Sequence, residues 1–512
     1  MEHARRAADV IVVGAGAAGL CTALHLPAGT GVCVVEKAGR GRGASPWAQG
    51  GVAAAFGPED SPALHARDTI AVAGGHADRL AVEVLCEEAP DAVMELVELG
   101  CPLDRTPDGD LDLALEGGQT VPRSAHAGDA TGAAIMDTLR RHTQHRTERI
   151  EGRCLGLRIA EGCCSGVWVW TAEGIVGISA PVTVVATGGL GGIFASTTNP
   201  AGATGTGPAV AWEAGAAVAD LEFVQFHPTV LAAGSALDRP ERGARPERLL
   251  LTEALRGAGA HVVDADGRRF LFDHHPAGEL APRDVVARAL AATPAWLDCR
   301  HLGPRLERAF EVVTLGCREA GFDPRRDLLP VEPAAHYSIG GIRVDLDGRS
   351  SVPGLFAVGE CACTGVHGAN RLAGNSLAEA LVFGRRAARA IGAPAPEKHP
   401  ADLAPPEVTG GRQDLGGAWR GLRVACSAAL GIERDAAGLQ TLDRALQPLA
   451  EGPVPADPEQ ATLRAAAICA RLVARGALLR TESRGVHWRS DHPAPDPSWE
   501  GVRLNLSRPA AT

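Results

Sequence analysis

The sequence predicts an α/β protein whose first domain is a doubly wound sheet of parallel strands, interrupted by a second domain and followed by helices. Three observations support this fold class. A β-α-β pattern occupies residues 9–36, strand-like runs of the same apolar style return at residues 184–189 and 354–360, and residues about 222–335 between them differ in composition. Buried parallel strands have such continuous β-branched apolar runs. We therefore expect one sheet built from distant segments, with an insertion inside it.

The β-α-β unit begins with DVIVV at residues 9–13, which is apolar and β-branched. The run AAGLCTALHL follows a glycine turn and predicts a helix, which Pro27 ends because proline cannot continue it. GVCVVEK then predicts the second buried strand. These elements form one supersecondary unit with a glycine turn between strand and helix.

The remaining segments divide the chain further. Residues about 60–100 and 126–150 are helical in pattern, and CLGLRIA, VWVWTA and PVTVVATGG are strand-like. NSLAEALVFGRRAARAIG predicts a helix, PAPEKHPADLAPPEVTGG is a proline-rich linker, and a helical region without a chemical motif follows. We therefore predict that residues 1–221 and 336–395 form one domain around an insertion at 222–335, with a linker at 396–411 and a helical domain and tail at 412–512.

Composition and charge exclude several classes of function. The chain has 512 residues, 45% of them hydrophobic and 22% charged, with a formal net charge of -11, so it offers no general basic surface for nucleic acid or anionic lipid. Its 13 cysteines show no C-x-x-C pair, which favours free thiols in a reducing compartment. Glycines break the apolar N-terminal run, and no run of about 18 apolar residues occurs. We expect a cytoplasmic protein that contacts neither nucleic acid nor membrane.

The glycine turn after the first strand carries the first chemical signal. Gly14, Gly16 and Gly19 form the pattern G-x-G-x-x-G between a strand and a helix. These glycines let the backbone approach a pyrophosphate, whose charge the helix N-terminus favours. Glu36 ends the next strand, about 20 residues on, where an acid accepts hydrogen bonds from ribose hydroxyls. The pattern predicts dinucleotide binding, and the returning strands at 184–189 and 354–360 favour FAD, with Glu360 near its flavin and ribityl part.

The chain resembles the flavoprotein family of fumarate reductases, succinate dehydrogenase flavoprotein subunits and L-aspartate oxidases. The matching stretches occur in family order from about residue 8 to about residue 450: WAQGGVAAAF, LEGGQT, HAGDATG, EFVQFHPT, LLTEALRGAGAHVVDADGRRF, APRDVVARAL, HYSIGGIRVD, GLFAVGECACTGVHGANRLAGNSLAEALVFGRRA and GLRVACSAALGIERD. The resemblance implies a Rossmann-like, doubly wound FAD-binding domain, an inserted α+β capping domain and a C-terminal helical domain. It implies a substrate with two carboxylates and no metal.

The resemblance also assigns the cofactor site. The residues that it places at FAD are Gly14, Ala15, Gly16, Ala17, Ala18, Gly19, Glu36, Lys37, Ser45, Ala48, Gln49, Gly50, Gly51, Thr187, Gly188, Asp220, Glu360, Asn375, Ser376 and Leu377. Family members of the membrane complexes carry a histidine that bonds to the flavin five residues before the Gln of A-Q-G-G. That Gln is Gln49, and Ala44 stands five residues before it. Since alanine cannot form the bond, we expect noncovalent FAD.

The resemblance places substrate carboxylates at motif residues that can donate charge-assisted hydrogen bonds: His227, Thr252, His336 and Arg371. Arg283 matches the family's proton-transfer arginine, and Glu253 is its candidate relay. Arginine is normally a permanent cation, so the alternative is that Arg283 only holds a carboxylate and polarises the substrate.

Glu116 in LEGGQT bears on which member of the family this chain resembles most. Fumarate and succinate carry no amine, whereas aspartate carries an ammonium group that a carboxylate at position 116 can bind. This residue favours oxidation of L-aspartate to iminoaspartate, with O2 or fumarate as the acceptor. The resemblance links that product to quinolinate and NAD synthesis, with possible coupling to quinolinate synthase.

Several departures from the family pattern keep other hypotheses open. Gln119 stands where aspartate oxidases often have His, Thr206 where Asp is common, and Ile339 where many members have Cys. A soluble fumarate reductase is the second hypothesis. A flavoprotein subunit that needs an iron–sulfur partner and a flavin-binding protein without turnover are the others.

Overall fold

The computed structural model describes residues 5–37, 43–232, 248–392, 408–409 and 414–508. Its helices are α1 (Ala17–His25), α2 (Pro62–Val72), α3 (Arg79–Glu98), α4 (Thr131–Thr143), α5 (Thr206–Glu213), α6 (Glu253–Gly257), α7 (Arg283–Ala292), α8 (Arg305–Ala309), α9 (Glu311–Glu319), α10 (Asn375–Ile391), α11 (Leu415–Ala429), α12 (Ala436–Ala450) and α13 (Pro458–Leu479). Its strands are β1 (Arg5–Ala7), β2 (Val10–Val13), β3 (Val32–Glu36), β4 (Val52–Ala53), β5 (Leu113–Ala114), β6 (Ser124–Ala125), β7 (Thr147–Glu151), β8 (Arg153–Ala160), β9 (Cys163–Thr171), β10 (Gly174–Ser179), β11 (Val182–Val185), β12 (Val218–Ala219), β13 (Val224–Leu231), β14 (His261–Val263), β15 (Ala295–Asp298), β16 (Leu329–Ser338), β17 (Gly341–Arg343), β18 (Leu355–Ala357), β19 (Ala362–Cys363), β20 (Val408–Thr409), β21 (Val454–Pro455) and β22 (Asn505–Leu506).

A five-stranded parallel sheet forms the framework of the first domain. Its strand order is β18-β11-β2-β3-β7, and each neighbouring pair is parallel. The runs at 184–189 and 354–360 that the sequence assigned to returning strands therefore lie beside β2, as expected. Val10, Val12 and Val34 point to one face, where α1 and α10 cover them. The carboxyl ends of these strands meet at one edge, the usual place for a ligand in a parallel sheet.

The other face of the parallel sheet differs from a doubly wound arrangement. Ile11, Val13 and Val35 pack against the antiparallel strands β8, β9 and β10 instead of against helices. The physical reason is that a parallel sheet must bury both faces, and the apolar strand pair around Val167 and Val176 provides that cover. The expectation of a doubly wound sheet is corrected to a sheet with helices on one face and a β-sheet on the other.

The segment from β13 to β16 has a sheet and a core of its own. Its strand order is β13-β16-β15-β14, all antiparallel, and α6 to α9 pack on it. β13 and β16 are the first and last strands of the segment and pair with each other. The chain therefore leaves and re-enters the first domain at adjacent points, as an insertion requires.

The C-terminal helices α11, α12 and α13 share an apolar cluster with residues near the start of α5 and with β12. The last strand, β22, pairs with β12 and so completes a sheet of the first domain. The predicted linker at 396–411 lies outside the described residues except for β20, which pairs with β21. Among the described helices, none has both the length and the apolarity needed to cross a bilayer.

Candidate active site

A cavity of about 810 Å³ opens at the carboxyl ends of β2, β3, β11 and β18, below the segment β13–β16. Almost every residue that the sequence assigned to cofactor, substrate or catalysis lines this cavity. The predicted cofactor residues lie at the edge of the parallel sheet. The predicted substrate residues lie where the segment β13–β16 faces that sheet. The arrangement is one continuous site with a long cofactor part and a short substrate part.

The glycine motif lets the backbone come close to the cavity. Gly14 has φ +117°, and a Cβ there would lie 2.1 Å from the carbonyl oxygen of Ala186. A Cβ on Gly19 would lie 2.1 Å from the carbonyl oxygen of Gly14, so no larger residue fits between helix and strand. Helix α1 begins directly after Gly16, and its first turn lines the cavity. Since the first amides of a helix have no intrahelical acceptor, they offer a site for a pyrophosphate.

The acid at the end of β3 lies where the sequence predicts a ribose ligand. Glu36 lines the cavity, and its carboxylate is 3.3 Å from Nη1 of Arg149. Lys37 donates from Nζ to the carbonyl oxygen of Gly202 at 2.7 Å, which fixes the cavity wall beside it. Both residues are partly exposed, so hydroxyl groups can reach the Glu36 carboxylate.

Buried polar atoms without protein partners show that this part of the cavity is built for a polar ligand. Oε1 of Gln49 and Oγ1 of Thr187 are buried without a hydrogen-bond partner, and both residues line the cavity. Unpaired buried polar groups cost about 1–3 kcal/mol each, so a native site supplies their partner as ligand or water. Thr206 at the start of α5 and Ser376 and Leu377 in the first turn of α10 also line the cavity. The residues therefore fit a flavin dinucleotide, with several amide donors and a ribose acid.

Three predicted cofactor residues lie outside the cavity lining. Gly19 acts only through the helix packing described above. Asn375 is buried, and its side chain bonds to His65 at 2.8 Å and to Thr69 at 3.0 Å. The carboxylate of Asp220 lies 3.3 Å from His76 and accepts from the amide of Leu504 at 3.3 Å. It supports the C-terminal segment and does not line the cofactor site.

Arg371 is the cation of the substrate part. Its guanidinium lies 4.4 Å from the centre of the Tyr337 ring, and its Nε is buried without a partner. Burial, together with Arg283, lowers the pKa of Arg371 to about 10, so it remains charged at neutral pH. In the described part of the chain no carboxylate forms an ion pair with it, which leaves the cation for an anionic ligand.

His227 and His336 face each other with ring centres 5.1 Å apart. Burial and the positive charge of Arg283 hold the pKa of both imidazoles well below the usual range, so both are neutral. Nδ1 of His227 accepts from the amide of Thr229 at 3.3 Å, which leaves the proton on Nε2. Both histidines line the cavity as hydrogen-bonding groups, and Thr252 lines it with no capping bond from its side chain.

Arg283 is fixed at the first position of α7. Its Nε lies 2.6 Å from Oε2 of Glu253, and its Nη1 donates to Oε1 of Gln225 at 3.2 Å. Arg256 holds the other oxygen of Glu253 at 2.8 Å. Burial alone would raise the pKa of Glu253, but Arg283 and Arg256 hold it below the usual range. The result is a buried Arg–Glu–Arg row that ends in the cavity.

Glu116 is buried beside this row. Its Oε1 accepts from the amide of Gly51 at 3.0 Å, and it lines the cavity. Burial and the neighbouring charge of Glu253 raise the pKa of Glu116. A Cβ on Gly117 would lie 2.3 Å from Oε1 of Glu253, so the backbone carries Glu116 directly past that acid. A carboxylate in this position gains from any cation that enters the cavity.

The unusual Gln119 supports Glu116 from behind and does not line the cavity. Its Oε1 accepts from the amide of Glu116 at 3.0 Å, and its Nε2 donates to Ser124 at 3.0 Å. The other departures are also explained by position. Ile339 packs in an apolar cluster with Phe223, whereas Thr206 lines the cavity and bonds to Thr204 at 3.1 Å.

The sequence reasoning missed several residues of the site. Arg256 was not named, although its spacing of three residues from Glu253 on a helix is a readable signal. The guanidinium of Arg371 stacks on the ring of Tyr337, and Thr198 forms a hydrogen bond with Nδ1 of His336 at 2.7 Å. No local pattern reveals these contacts, because each joins segments that are distant in the chain.

Comparisons with known proteins show the family to which the chain belongs. A family model described as an FAD binding domain matches residues 9–377, and one described as fumarate reductase flavoprotein C-term matches residues 459–505. An L-aspartate oxidase of Streptomyces coelicolor is 44% identical, covering 99% of this chain and 93% of the relative. An L-aspartate oxidase of Caulobacter vibrioides is 44% identical, covering 96% and 94%.

Solved structures give the same result. A mutated E. coli quinol fumarate reductase chain matches with a TM-score of 0.87 at 29% identity, covering 99% of this chain and 95% of that one. Mycobacterium smegmatis Sdh1 in complex with UQ1 matches with a TM-score of 0.82 at 33% identity, covering 99% and 93%. The chain belongs to the fumarate reductase and succinate dehydrogenase flavoprotein family, with FAD as its cofactor and a C-terminal helical domain.

Proposed function

We propose that this member of the fumarate reductase flavoprotein family oxidises L-aspartate to iminoaspartate. The observation that carries the proposal is the buried carboxylate of Glu116 in a cavity that the Arg371 guanidinium also lines. The relatives named L-aspartate oxidase, which cover almost the whole chain, support it.

The carboxylates of the substrate are bound by Arg371, His227, His336 and Thr252. Arg371 supplies the charge, and the neutral histidines and the hydroxyl supply directed hydrogen bonds. A hydrogen bond to a charged group contributes about 1.5–3 kcal/mol, so a substrate with two carboxylates gains from this cluster of donors. These donors hold the substrate in one orientation across the cavity.

Glu116 binds the ammonium group of the substrate. A lone buried carboxylate is unfavourable, as its raised pKa shows, and a cation relieves that cost. A substrate without an amine would leave the carboxylate unpaired, and such a site discriminates strongly. Gln119 keeps Glu116 at this place through the hydrogen bond to its amide.

FAD, when bound, would be the two-electron oxidant that accepts hydride from Cα of the substrate. The acceptor that then reoxidises the cofactor is O2, which gives H2O2, or fumarate. The residues that would hold FAD line the cavity, except for Gly19. They are those of the glycine motif, Glu36, Ser45 to Gly51, Thr187, Gly188, Glu360, Ser376 and Leu377. Ala44 lines it too and offers no nucleophile, so FAD is held noncovalently.

Arg283 transfers the proton that fumarate reduction needs, with Glu253 and Arg256 behind it as the relay. The 2.6 Å contact between Arg283 and Glu253 supports this role. If Arg283 only holds a carboxylate, its replacement by Gln weakens dicarboxylate binding as much as it slows turnover. If it transfers the proton, turnover falls far more than binding.

The contacts between elements support a division into domains. We propose residues 222–335 as the α+β capping domain, 1–221 and 336–395 as the FAD-binding domain, and 412–512 as the C-terminal unit, with 396–411 as linker. The pairing of β13 with β16 and the separate apolar core support the insertion.

A cytoplasmic location is also proposed, since all 13 cysteines are free. The product would serve quinolinate and NAD synthesis, with possible coupling to quinolinate synthase.

Anaerobic mixing with L-aspartate tests the function. Bleaching of the flavin absorption band supports aspartate oxidation. The second candidate, a soluble fumarate reductase, is favoured by the Arg283–Glu253–Arg256 row, because reduction of fumarate needs a proton donor at the substrate. It predicts no bleaching with aspartate but rapid reoxidation of the reduced protein by fumarate. If the protein shows neither bleaching with aspartate nor reoxidation by fumarate, it is a flavin-binding protein without turnover.

A further inference from the structure

The loop that carries Arg371 rests on the C-terminal segment. The carbonyl oxygen of Ala369 accepts from the amide of Val486 at 2.9 Å. Gly485 has φ +54°, and a Cβ there would lie 2.3 Å from that same carbonyl oxygen. A tight turn from Arg484 to His487, closed by hydrogen bonds of 2.8 and 3.0 Å between these residues, therefore presses on the back of the loop.

The same turn is joined to helix α7, whose first residue is Arg283. Arg288, one and a half turns further on α7, donates from Nη1 to the carbonyl oxygen of Gly485 at 2.8 Å. Its guanidinium lies 5.1 Å from the centre of the Trp488 ring. Arg288 thus links the helix that starts with Arg283 to the turn that supports the loop of Arg371.

A second connection closes the ring of contacts. Nη2 of Arg288 donates to Asp284 at 2.8 Å, and the other oxygen of Asp284 accepts from Nδ2 of Asn370 at 2.8 Å. Asp284 follows Arg283 in the chain, and Asn370 precedes Arg371. Arg283 and Arg371 are therefore each adjacent in the chain to one member of a closed set of contacts.

The turn itself is held firmly. Arg484 binds Glu482 at 2.9 and 3.0 Å and donates to the carbonyl oxygen of Gly74 at 2.6 Å. His487 is fully buried and lies 3.1 Å from Arg434 of the C-terminal unit. The C-terminal unit can therefore act as a rigid support for the site.

We propose that Arg288 is a positioning residue that sets the placement of Arg283 relative to Arg371. It acts through the turn Arg484–His487 with the adjacent Trp488, and through Asp284 and Asn370. The inference rests on the proposed function and extends it, because it gives the C-terminal unit a role in the reaction. Reaction rates depend on such placement, since a shift of about 1 Å can lower turnover about 100-fold.

The test compares Arg288→Met with Arg300→Met in the flavin-replete protein. Met keeps much of the volume of Arg288 but loses its hydrogen bonds and its charge. Arg300 is an exposed arginine of the same unit that pairs locally with Asp298 at 2.8 Å, so it is the matched control. We expect Arg288→Met to lower kcat for L-aspartate roughly 10–100-fold and to raise KM by a smaller factor, about three to five. Arg288→Lys, which can still bind Asp284, should recover part of kcat.

A double-mutant cycle with Trp488→Leu shows whether Arg288 acts through the turn. Residues that act through one contact give losses that do not multiply. We expect the double variant to be no slower than Arg288→Met alone. Losses that multiply, or an Arg288→Met protein that behaves like Arg300→Met, would overturn the proposal.

Malonate binding, followed through the flavin spectrum, separates this proposal from the proposed function. Malonate carries two carboxylates and no oxidisable amine. If wild-type protein is not reduced by aspartate, the proposed function fails, and the positioning role is judged by malonate alone. A loss of malonate affinity of about threefold or more in Arg288→Met, absent from Arg300→Met, supports it, and equal affinity contradicts it.

Discussion

Replacing Glu116 by Gln tests the basis of substrate choice. Gln has nearly the same shape, and its carbonyl oxygen can still accept from the amide of Gly51, which lies 3.0 Å from Glu116. Only the charge is lost. Glu116 is 2% exposed, so water cannot replace the missing partner of the substrate ammonium. Truncating one member of a buried charge pair costs about 2–5 kcal/mol, which corresponds to a loss of roughly 30-fold to 5,000-fold in kcat/KM for L-aspartate.

The assay measures two reactions on the same protein. Peroxide formation gives kcat/KM for L-aspartate, and anaerobic oxidation of a reduced dye gives the rate with fumarate. Fumarate has no ammonium group, so removing the acid should leave its reduction unchanged or faster. Asp110→Asn, on an exposed turn near the same segment, is the control and should change neither rate. Equal loss of both activities in Glu116→Gln would refute the role of Glu116 in binding the amine.

The pH dependence gives an independent check on Glu116. Its pKa is raised above the usual 4.5 by burial and by Glu253. As the pH falls through this raised pKa, Glu116 takes up a proton and can no longer pair with the ammonium group. We therefore expect kcat/KM for aspartate to decline on the acidic side at a pH above 4.5, and this decline to be absent in Glu116→Gln. A decline that persists unchanged in the variant would assign it to another group.

The remaining predictions concern the cofactor and stability. Gly14→Ala should abolish flavin retention, because its Cβ would lie 2.1 Å from a carbonyl oxygen, whereas Gly156→Ala, with open space around it, should retain flavin. Acid denaturation should release all the FAD to the supernatant, since Ala44 forms no bond; flavin left in the pellet would contradict this. Burial lowers the pKa of His65 from 6.5 to about 4, so the unfolded chain binds a proton first as the pH falls. The free energy of unfolding should therefore drop by up to about 3 kcal/mol between pH 6.5 and 4, and by less in His65→Gln, measured by urea unfolding.

The sequence predicted those parts of the fold whose signals are local. The runs around Val12, Val34 and Val184 are apolar on both faces, which only a buried parallel strand explains. The glycine motif and Glu36 likewise follow from one β-α-β unit. The cover on the second face of the sheet was not predicted, because the pattern of the strands around Val167 does not say which surface their own sheet packs against.

The site shows the same limit. Arg371 and Glu116 were found through their motifs, but their supports, Tyr337 and Gln119, act through contacts that exist only in the folded chain. The contacts of Asp220 are a further example. Its motif context suggested a cofactor ligand, whereas folding brings the C-terminal segment to it.

The strand order of the parallel sheet has a consequence for the synthesis of the protein. β18, which lies at the edge of the sheet next to β11, is made roughly 340 residues after β2. At about 5–20 residues per second, a ribosome needs roughly 20–70 s to cover that distance. From about the middle of this interval, when β11 has been made, the nascent chain carries β11 with an unpaired edge. Throughout the interval it lacks Glu360, so it cannot enclose the flavin. Cofactor capture is therefore a late event, and chains that end before β18 should emerge without flavin and with an apolar edge open to aggregation.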